Sequence, residues 1–360
     1  MTARISDILP AACAALRQSP EISALQLPQS DVVVVLLIDG MGYRNVAHVA
    51  DKVAHSKLIV DHTPISTAFP STTPVALASL GTGMQSGSHG FVGATFELAE
   101  FHSILHPLKW VDSPPPLAVA PDPTWFENAV DLGIKVTRVG PAAYANSGLT
   151  NAVLRGGSHL PAESMTELVD VIAATATQSK NQMIYGYYPK LDKVGHVHGV
   201  ASTEWLSELG VVLDAIAELN ARLGAGVTLV VTADHGMIDV EKRIWIEDTP
   251  SLMRDVRIIT GEPRLRHVFA QPGNAQALHR QWKSLEDFVN IYTRDEYIAT
   301  ELMGVVDDFV AERIGDVVAV AQGNNILASR TIDSRISNLV GHHGSDSSTE
   351  CDIPLAVLAR

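Results

Sequence analysis

The chain has 360 residues, 46% hydrophobic and 18% charged, a balance that excludes disorder and supports a large core. Its formal net charge of −14 argues against a general surface for nucleic-acid polymers or anionic membranes. Divalent cations held in one cleft would reverse the local sign, so an anionic substrate stays compatible.

Near the N-terminus Arg4 and Asp7 interrupt any apolar signal core, and no run approaches the ~18 apolar residues of a membrane span. Cys13 and Cys351 lie far apart in no paired spacing, as in a reducing compartment. A soluble, cytoplasmic protein is expected. Val32–Ile38 is a continuous apolar run, the pattern of a strand buried on both faces of a parallel sheet, and Asp39-Gly40-Met41-Gly42 ends it with turn chemistry. Pro70-Ser71-Thr72-Thr73-Pro74 precedes the helix-forming run Val75–Leu80. Proline is favoured at the first helical position, which makes Thr73 the expected cap, its hydroxyl facing the positive helix end. Ser71 and Thr72 are rival nucleophiles by position.

Further strands are expected at Ile134–Val139, Met183–Tyr187, Val227–Thr232 and Ile353–Leu358, with helices at Pro74–Leu80, Glu163–Thr175 and Thr203–Leu223. Strands alternating with helices predict a three-layer α/β/α fold around a mostly parallel central sheet. Residues 111–123 form a proline-rich loop, and the α/β pattern resumes beyond it. Residues 245–332 break that pattern with charged helical stretches at Ala275–Tyr292 and Glu296–Met303 and a short strand at Arg266–Ala270. They read as a smaller inserted α+β cap over a core of residues 1–244 and 333–360.

Ligands in such folds collect where the strands end. Asp39, Asp192 and Asp234 each follow an expected strand. Asp192 and His196 are one helical turn apart, although Pro189 and Gly195 suggest an irregular turn. Asp234 and His235 are adjacent, so both serve one site only if Gly236 lets the chain turn. His343 lies between Gly341 and Gly344 in an open loop. Carboxylate oxygen with imidazole nitrogen suits Zn²⁺ best, with Mn²⁺ and Fe²⁺ as alternatives. Two such ions about 4 Å apart can clamp both oxygens of an in-line displacement. His89, His198 and His342 read as supporting or structural histidines. Arg264, Arg266 and His267 could meet a distal phosphate, but salt bridges to the core are the stronger expectation for the basic groups.

In this order the segments resemble the alkaline phosphatase superfamily, most closely its type I phosphodiesterase / nucleotide pyrophosphatase branch. The resemblance rests on Asp39-Gly40, Pro70-Ser71-Thr72-Thr73, Thr82-Gly83, Asp192…His196, Asp234-His235-Gly236 and His343-Gly344, and spans residues 32 to 360 apart from the cap. Aligning the Pro70 and Thr82-Gly83 anchors together selects Thr73 as nucleophile. The resemblance implies one metal held by Asp39, Asp234, His235 and Thr73, and a second by Asp192, His196 and His343, with a phospho-threonine intermediate. Sulfatases need a Cys/Ser-x-Pro-x-Arg stretch that neither cysteine supplies, and cofactor-independent phosphoglycerate mutases present a serine nucleophile and a much larger insertion after it. Family nucleotide pyrophosphatases place an Asn where Ala94 follows Ser88-His89-Gly90-Phe91-Val92-Gly93, which puts nucleotide specificity in question. The expected activity is two-metal hydrolysis of a small phosphorylated compound, with nucleotides among the candidates. A phosphomonoesterase on the same core and a non-catalytic metal-dependent binding protein are the alternatives.

Overall fold

The computed structural model describes residues 3–17, 24–110 and 113–359. Ten strands build its two principal sheets: β1 (Val32–Ile38), β2 (Lys135–Gly140), β3 (Ser158–Pro161), β4 (Gln182–Tyr188), β5 (Val227–Thr232), β6 (Val256–Glu262), β7 (Leu265–Ala270), β8 (Val289–Thr293), β9 (Val317–Ala321) and β10 (Leu355–Ala359). The central sheet has the order β10-β5-β1-β4-β2-β3. Its pairs are parallel except that β10 runs antiparallel to β5. Every residue of β1 and β5 is buried, because helices cover both faces and leave no position for a polar alternation. The helices α1 (Thr73–Thr82), α2 (Met165–Ala176), α3 (Lys190–His198) and α4 (Thr203–Arg222) return the chain between strands.

The two faces of β4 identify the layers. The Gly186 Cα abuts Ile172 of α2, whereas the neighbouring Tyr185 ring packs on Phe126 on the opposite side. A Cβ on Gly186 would stand 2.7 Å from the Ile172 side chain, so the absence of one sets how closely α2 approaches the sheet. Capping boxes at Thr124/Glu127 and Ser164/Glu167 fix where two of the covering helices begin. Among the described residues no helix is long and apolar enough to cross a membrane.

The expected boundaries of β1 and β5 agree with the structure, and those of β2 and β4 differ by one residue at each end. The last strand begins two residues late, since Asp352–Ile353 pairs with Ile65–Ser66 before Pro354. In the proline-rich loop Pro116–Val119 forms one helical turn, and residues 111–112 lie outside the described residues.

Residues 256–321 differ most from expectation. The helical stretch expected over Ala275–Tyr292 ends at Trp282, and Val289–Thr293 is a strand. The helix expected over Glu296–Met303 spans Arg294–Ala299, started by a Thr293/Glu296 capping box. A four-stranded antiparallel sheet, β6-β7-β9-β8, lies over a second core of Leu252, Val268, Leu278, Trp282 and Val317. β-branched and aromatic residues outweigh the local charge pattern here because the strands have a buried face to fill. Arg264 and Arg266 are fully buried and face carboxylates from the C-terminal part of the chain. Arg264 makes a bidentate pair with Glu350, at 2.9 and 2.6 Å, and Arg266 pairs with Asp333 at 2.7 Å. His267 is also buried, its Nε2 donating to the Val92 carbonyl. Arg264 and Arg266 tie the second sheet to the C-terminal segment, and His267 ties it to the loop at Val92.

Arg264→Met would leave the buried Glu350 carboxylate without its cation. The expected cost is about 3–5 kcal/mol, read as a lower urea midpoint than that of the unmodified protein. An unchanged midpoint would show that this pair does not hold the second sheet to the C-terminal segment.

Candidate metal centre

β1, β4 and β5 are parallel, so their carboxyl ends form one rim. Asp39 directly follows β1, Asp234 lies two residues beyond β5, and Asp192 sits in the first turn of α3 after β4. α3 is a regular helix, so Asp192 and His196 share a face as their spacing requires. The irregular turn suggested by Pro189 and Gly195 does not occur. Pro189 caps the helix, and Gly195 lies inside it where Met237 would crowd a Cβ at 2.7 Å. His343 follows a short strand, Gly341–His342, that pairs with Ile238–Asp239. Its ring is largely buried, not open.

These residues form two groups whose ligand atoms lie within 4.8 Å of one another: Asp39, Asp234 and His235, and Asp192, His196 and His343. The His235 and His343 rings stack at a centroid distance of 3.5 Å and join the groups. Thr73 Oγ1 lies 3.1 Å from His235 Nε2. Thr73 is the first residue of α1 and Thr72 the cap, one position from expectation, because Pro74 occupies the second helical place. Of the hydroxyls at 71–73, only that of Thr73 contacts either group. Ser71 Oγ donates to the Ser345 carbonyl, and Thr72 Oγ1 is buried without a partner.

The backbone assigns the imidazole tautomers. His196 Nδ1–H donates to the Gly341 carbonyl at 2.8 Å, His343 Nδ1–H to that of Ser71 at 2.9 Å, and His235 Nδ1–H to that of Gly236 at 3.0 Å. A carbonyl only accepts, so each neutral ring carries its proton on Nδ1 and turns a bare Nε2 lone pair inward. The His196 and His343 Nε2 atoms are 3.3 Å apart with no proton to share. The carboxylates are prepared in the same way. Asp234 Oδ1 accepts the Gly40 and His235 N–H groups, both at 3.0 Å, and Asp39 Oδ2 accepts the Tyr187 hydroxyl. The other oxygens, Asp39 Oδ1 and Asp234 Oδ2, and Asp192 Oδ1 in the second group, are buried without a partner.

Lone pairs facing lone pairs in a buried site repel unless a cation sits among them. The donor set therefore fits divalent cations, with the hydrogen bonds behind the ligands fixing their orientation. Burial and the neighbouring Asp234 and Asp192 carboxylates push the Asp39 carboxyl well above its usual range. Burial and the adjacent His235 and His196 rings hold His343 well below the usual imidazole value, so it stays neutral and able to coordinate.

Two glycines permit these approaches. Gly40 has a φ of +72°, and a Cβ there would sit 2.9 Å from Asp192 Cα. Gly236 does not adopt a positive φ. Its role is close packing, since a Cβ would meet the Thr349 carbonyl at 2.0 Å. Among the other histidines, His198 is an exposed neighbour of Glu204. His89 lies between Ser79 and the Phe91 N–H, with burial lowering it to about 3. His342 is buried beside His196, 6.2 Å between centroids.

Several contributors carry no sequence signal. Tyr187 supports Asp39 through the β1–β4 register, and Thr67 Oγ1 donates to the Asp234 carbonyl. Glu262, from β6, accepts the Ala94 N–H at 2.8 Å and reaches Gly344. Ala94 thus offers no side-chain donor, and its backbone donor is already used. A cavity of about 190 Å³ opens beside Asp39, Thr73 and Asp192. None of its lining residues comes from 245–332, so the second sheet does not line it.

Fold and rim define a metal-dependent hydrolase of the alkaline-phosphatase type. The family model of type I phosphodiesterase / nucleotide pyrophosphatase matches residues 33–346, and the chain belongs to that family of metal-dependent phosphoric ester hydrolases. An 89-residue stretch is 30% identical to ectonucleotide pyrophosphatase/phosphodiesterase 1 of Saccharomyces cerevisiae, covering 22% of this chain but only 12% of that protein. Murine ectonucleotide pyrophosphatase/phosphodiesterase 5 superposes with a TM-score of 0.74 at 18% identity, covering 91% of this chain and 88% of the murine one. Phosphonoacetate hydrolase from Sinorhizobium meliloti 1021, in complex with phosphonoformate, superposes at 0.69 and 19% identity, covering 94% and 92%. At these identities the two structures share the fold.

Burial raises the Glu262 carboxyl to about 8 from an ordinary value of 4.5. Over that interval the folded protein keeps a proton that the unfolded chain has released, so this group lowers stability as pH rises through it. Glu262→Gln should therefore gain in urea midpoint relative to the unmodified protein between pH 5 and pH 8, and no further above. A midpoint difference independent of pH would contradict the burial of an ionisable group there.

Proposed function

We propose that the chain is a two-metal phosphodiesterase or pyrophosphatase acting on a small phosphorylated compound through Thr73. The reading rests chiefly on one observation: three bare Nε2 atoms and three unpartnered carboxylate oxygens converge beside a threonine hydroxyl at the head of α1. Asp39, Asp234, His235 and Thr73 would hold one divalent ion, and Asp192, His196 and His343 the other, with Zn²⁺ the best match to the donors. Such ions, when bound, lower the pKa of a coordinated hydroxyl or water and offset charge on phosphoryl oxygens.

The protein's own part is orientation and charge. Tyr187 and the Gly40 and His235 N–H groups hold the carboxylates so that one oxygen of each faces the reaction centre. The Ser71, Gly236 and Gly341 carbonyls hold the imidazoles. Thr73 Oγ1 attacks phosphorus as the bond to the leaving oxygen breaks, and the proton lost by Thr73 is balanced by the one the leaving group takes up. Water then attacks the phospho-threonine, releasing the phosphoryl group and restoring the hydroxyl. The α1 N-terminus favours the anionic reactant by about 0.3–1 kcal/mol at an exposed end, so it assists rather than drives the step. An inactive threonine-to-alanine variant of the murine neighbour is described in complex with AMP, which supports both a threonine-dependent reaction and a nucleotide-sized ligand here. Two cysteines in no paired spacing support a cytoplasmic location.

Thr73→Ala should reduce turnover by roughly three orders of magnitude or more while metal content, read by inductively coupled plasma mass spectrometry, stays at two ions per chain. Retained turnover would remove Thr73 as nucleophile. At equal metal loading, bis(p-nitrophenyl) phosphate should be cleaved faster than p-nitrophenyl phosphate. The reverse order would favour the phosphomonoesterase, and no cleavage of either would favour the binding protein.

A further inference from the structure

The cavity beside Thr73 is not a uniform apolar slot. Leu77, Tyr144 and Leu149 form part of its wall, but its floor carries a polar row. Tyr185, Arg138 and His159 are direct register partners on β4, β2 and β3, so their side chains stand side by side on one face of the sheet. Two residues further along β4, on the same face, Tyr187 reaches Asp39. The row therefore looks into the cavity that Asp39, Thr73 and Asp192 border from the other side.

The row is chemically incomplete. Arg138 is partly buried, and its Nε donates to the Gly156 carbonyl at 3.1 Å, but its terminal nitrogens have no hydrogen-bond partner among the described residues. No described carboxylate forms an ion pair with it, and burial lowers it from the usual guanidinium value. The Tyr185 hydroxyl is buried without a partner, and so is His159 Nε2. A guanidinium without a counter-charge, beside two unsatisfied polar groups, is costly to keep partly buried. An anion entering the cavity would supply the missing acceptors, in the planar fork geometry that arginine offers to carboxylate and phosphate.

We propose that this floor is a second anion subsite, and that the substrate is a phosphoryl or phosphonyl compound whose organic part carries a further anionic group. The inference rests on the proposed hydrolytic reading for the reactive end. Arg138 and Tyr185 bind the remote anion, and the apolar wall packs against the carbon framework between the two charges. The remote group is a carboxylate or a second phosphoryl group, two sources of one chemistry.

Binding tests this without requiring turnover. Calorimetry on the zinc-loaded full chain would compare alkylphosphonates with ω-phosphonocarboxylates and with α,ω-bisphosphonates, over spacers of one to four methylenes. For at least one spacer the second anion should tighten binding by about tenfold or more, since hydrogen bonds between charged groups are stronger than neutral ones. The better of the two doubly anionic series identifies the source. Arg138→Met should abolish that advantage while leaving the alkylphosphonates within about twofold, and Tyr185→Phe should reduce it. Four results would overturn the subsite: no advantage at any spacer, equal loss of all ligands in Arg138→Met, an advantage that survives Arg138→Met, or phenylphosphonate binding more tightly than every doubly anionic ligand. If no phosphonate binds at all, the reading of the reactive end fails and this subsite with it. If the alkylphosphonates bind and only the advantage is missing, the subsite alone fails.

Discussion

Three carboxylates and three imidazole lone pairs held at one buried rim repel one another, and the rest of the molecule has to be stiff enough to keep them there. Asp39 shows the strain most plainly, its carboxyl driven upward by burial and by Asp234 and Asp192. A loop-borne cluster would relieve that repulsion by spreading. Here Asp39 and Asp234 are anchored to the ends of two fully buried strands, and Asp192 to the first turn of a helix. The backbone bonds behind His196, His235 and His343 leave the rings no equivalent alternative orientation. Rigidity of this kind lets a site bind charge without reorganising when it arrives.

The parallel sheet explains why residues so far apart in sequence meet. Parallel strands end on one side, and the segments that leave them must turn there. Gly40 and Gly236 allow two of these turns to press against α3 and the C-terminal segment, bringing the two ligand groups into contact through the His235–His343 stack. The second sheet acts from behind. Arg264, Arg266 and Glu262 reach across to Glu350, Asp333 and Ala94, bracing the chain on either side of His343 and leaving the cavity to the first sheet.

Legibility in the sequence followed the reach of the physics involved. β1 and β5 could be bounded from their apolar runs because strands buried on both faces have no other composition. Asp39, Asp234-His235 and His343-Gly344 stood out because acid and imidazole at strand ends have few structural uses. Within 256–321 the strand at Arg266–Ala270 was legible to within one residue, whereas Val289–Thr293 was hidden, since it follows a charged helix and only pairing with Val317–Ala321 gives it a partner. The same holds for Tyr187, which supports Asp39 through strand register, and for Arg138, whose role depends on which residues lie beside it in β3 and β4. Local pattern cannot report the register between strands that are separated by intervening helices and loops. The position of Thr73 was misjudged by one residue because helix starts are set by hydrogen bonding, which Pro74 permits at either of two places.

Paired cation sites at the strand ends are the central proposal. Crystals of the zinc-loaded protein, measured across the zinc absorption edge, test it directly. Two anomalous peaks are expected, one among Asp39, Asp234, His235 and Thr73, the other among Asp192, His196 and His343. Peaks only at the molecular surface, or none at the rim, would contradict it.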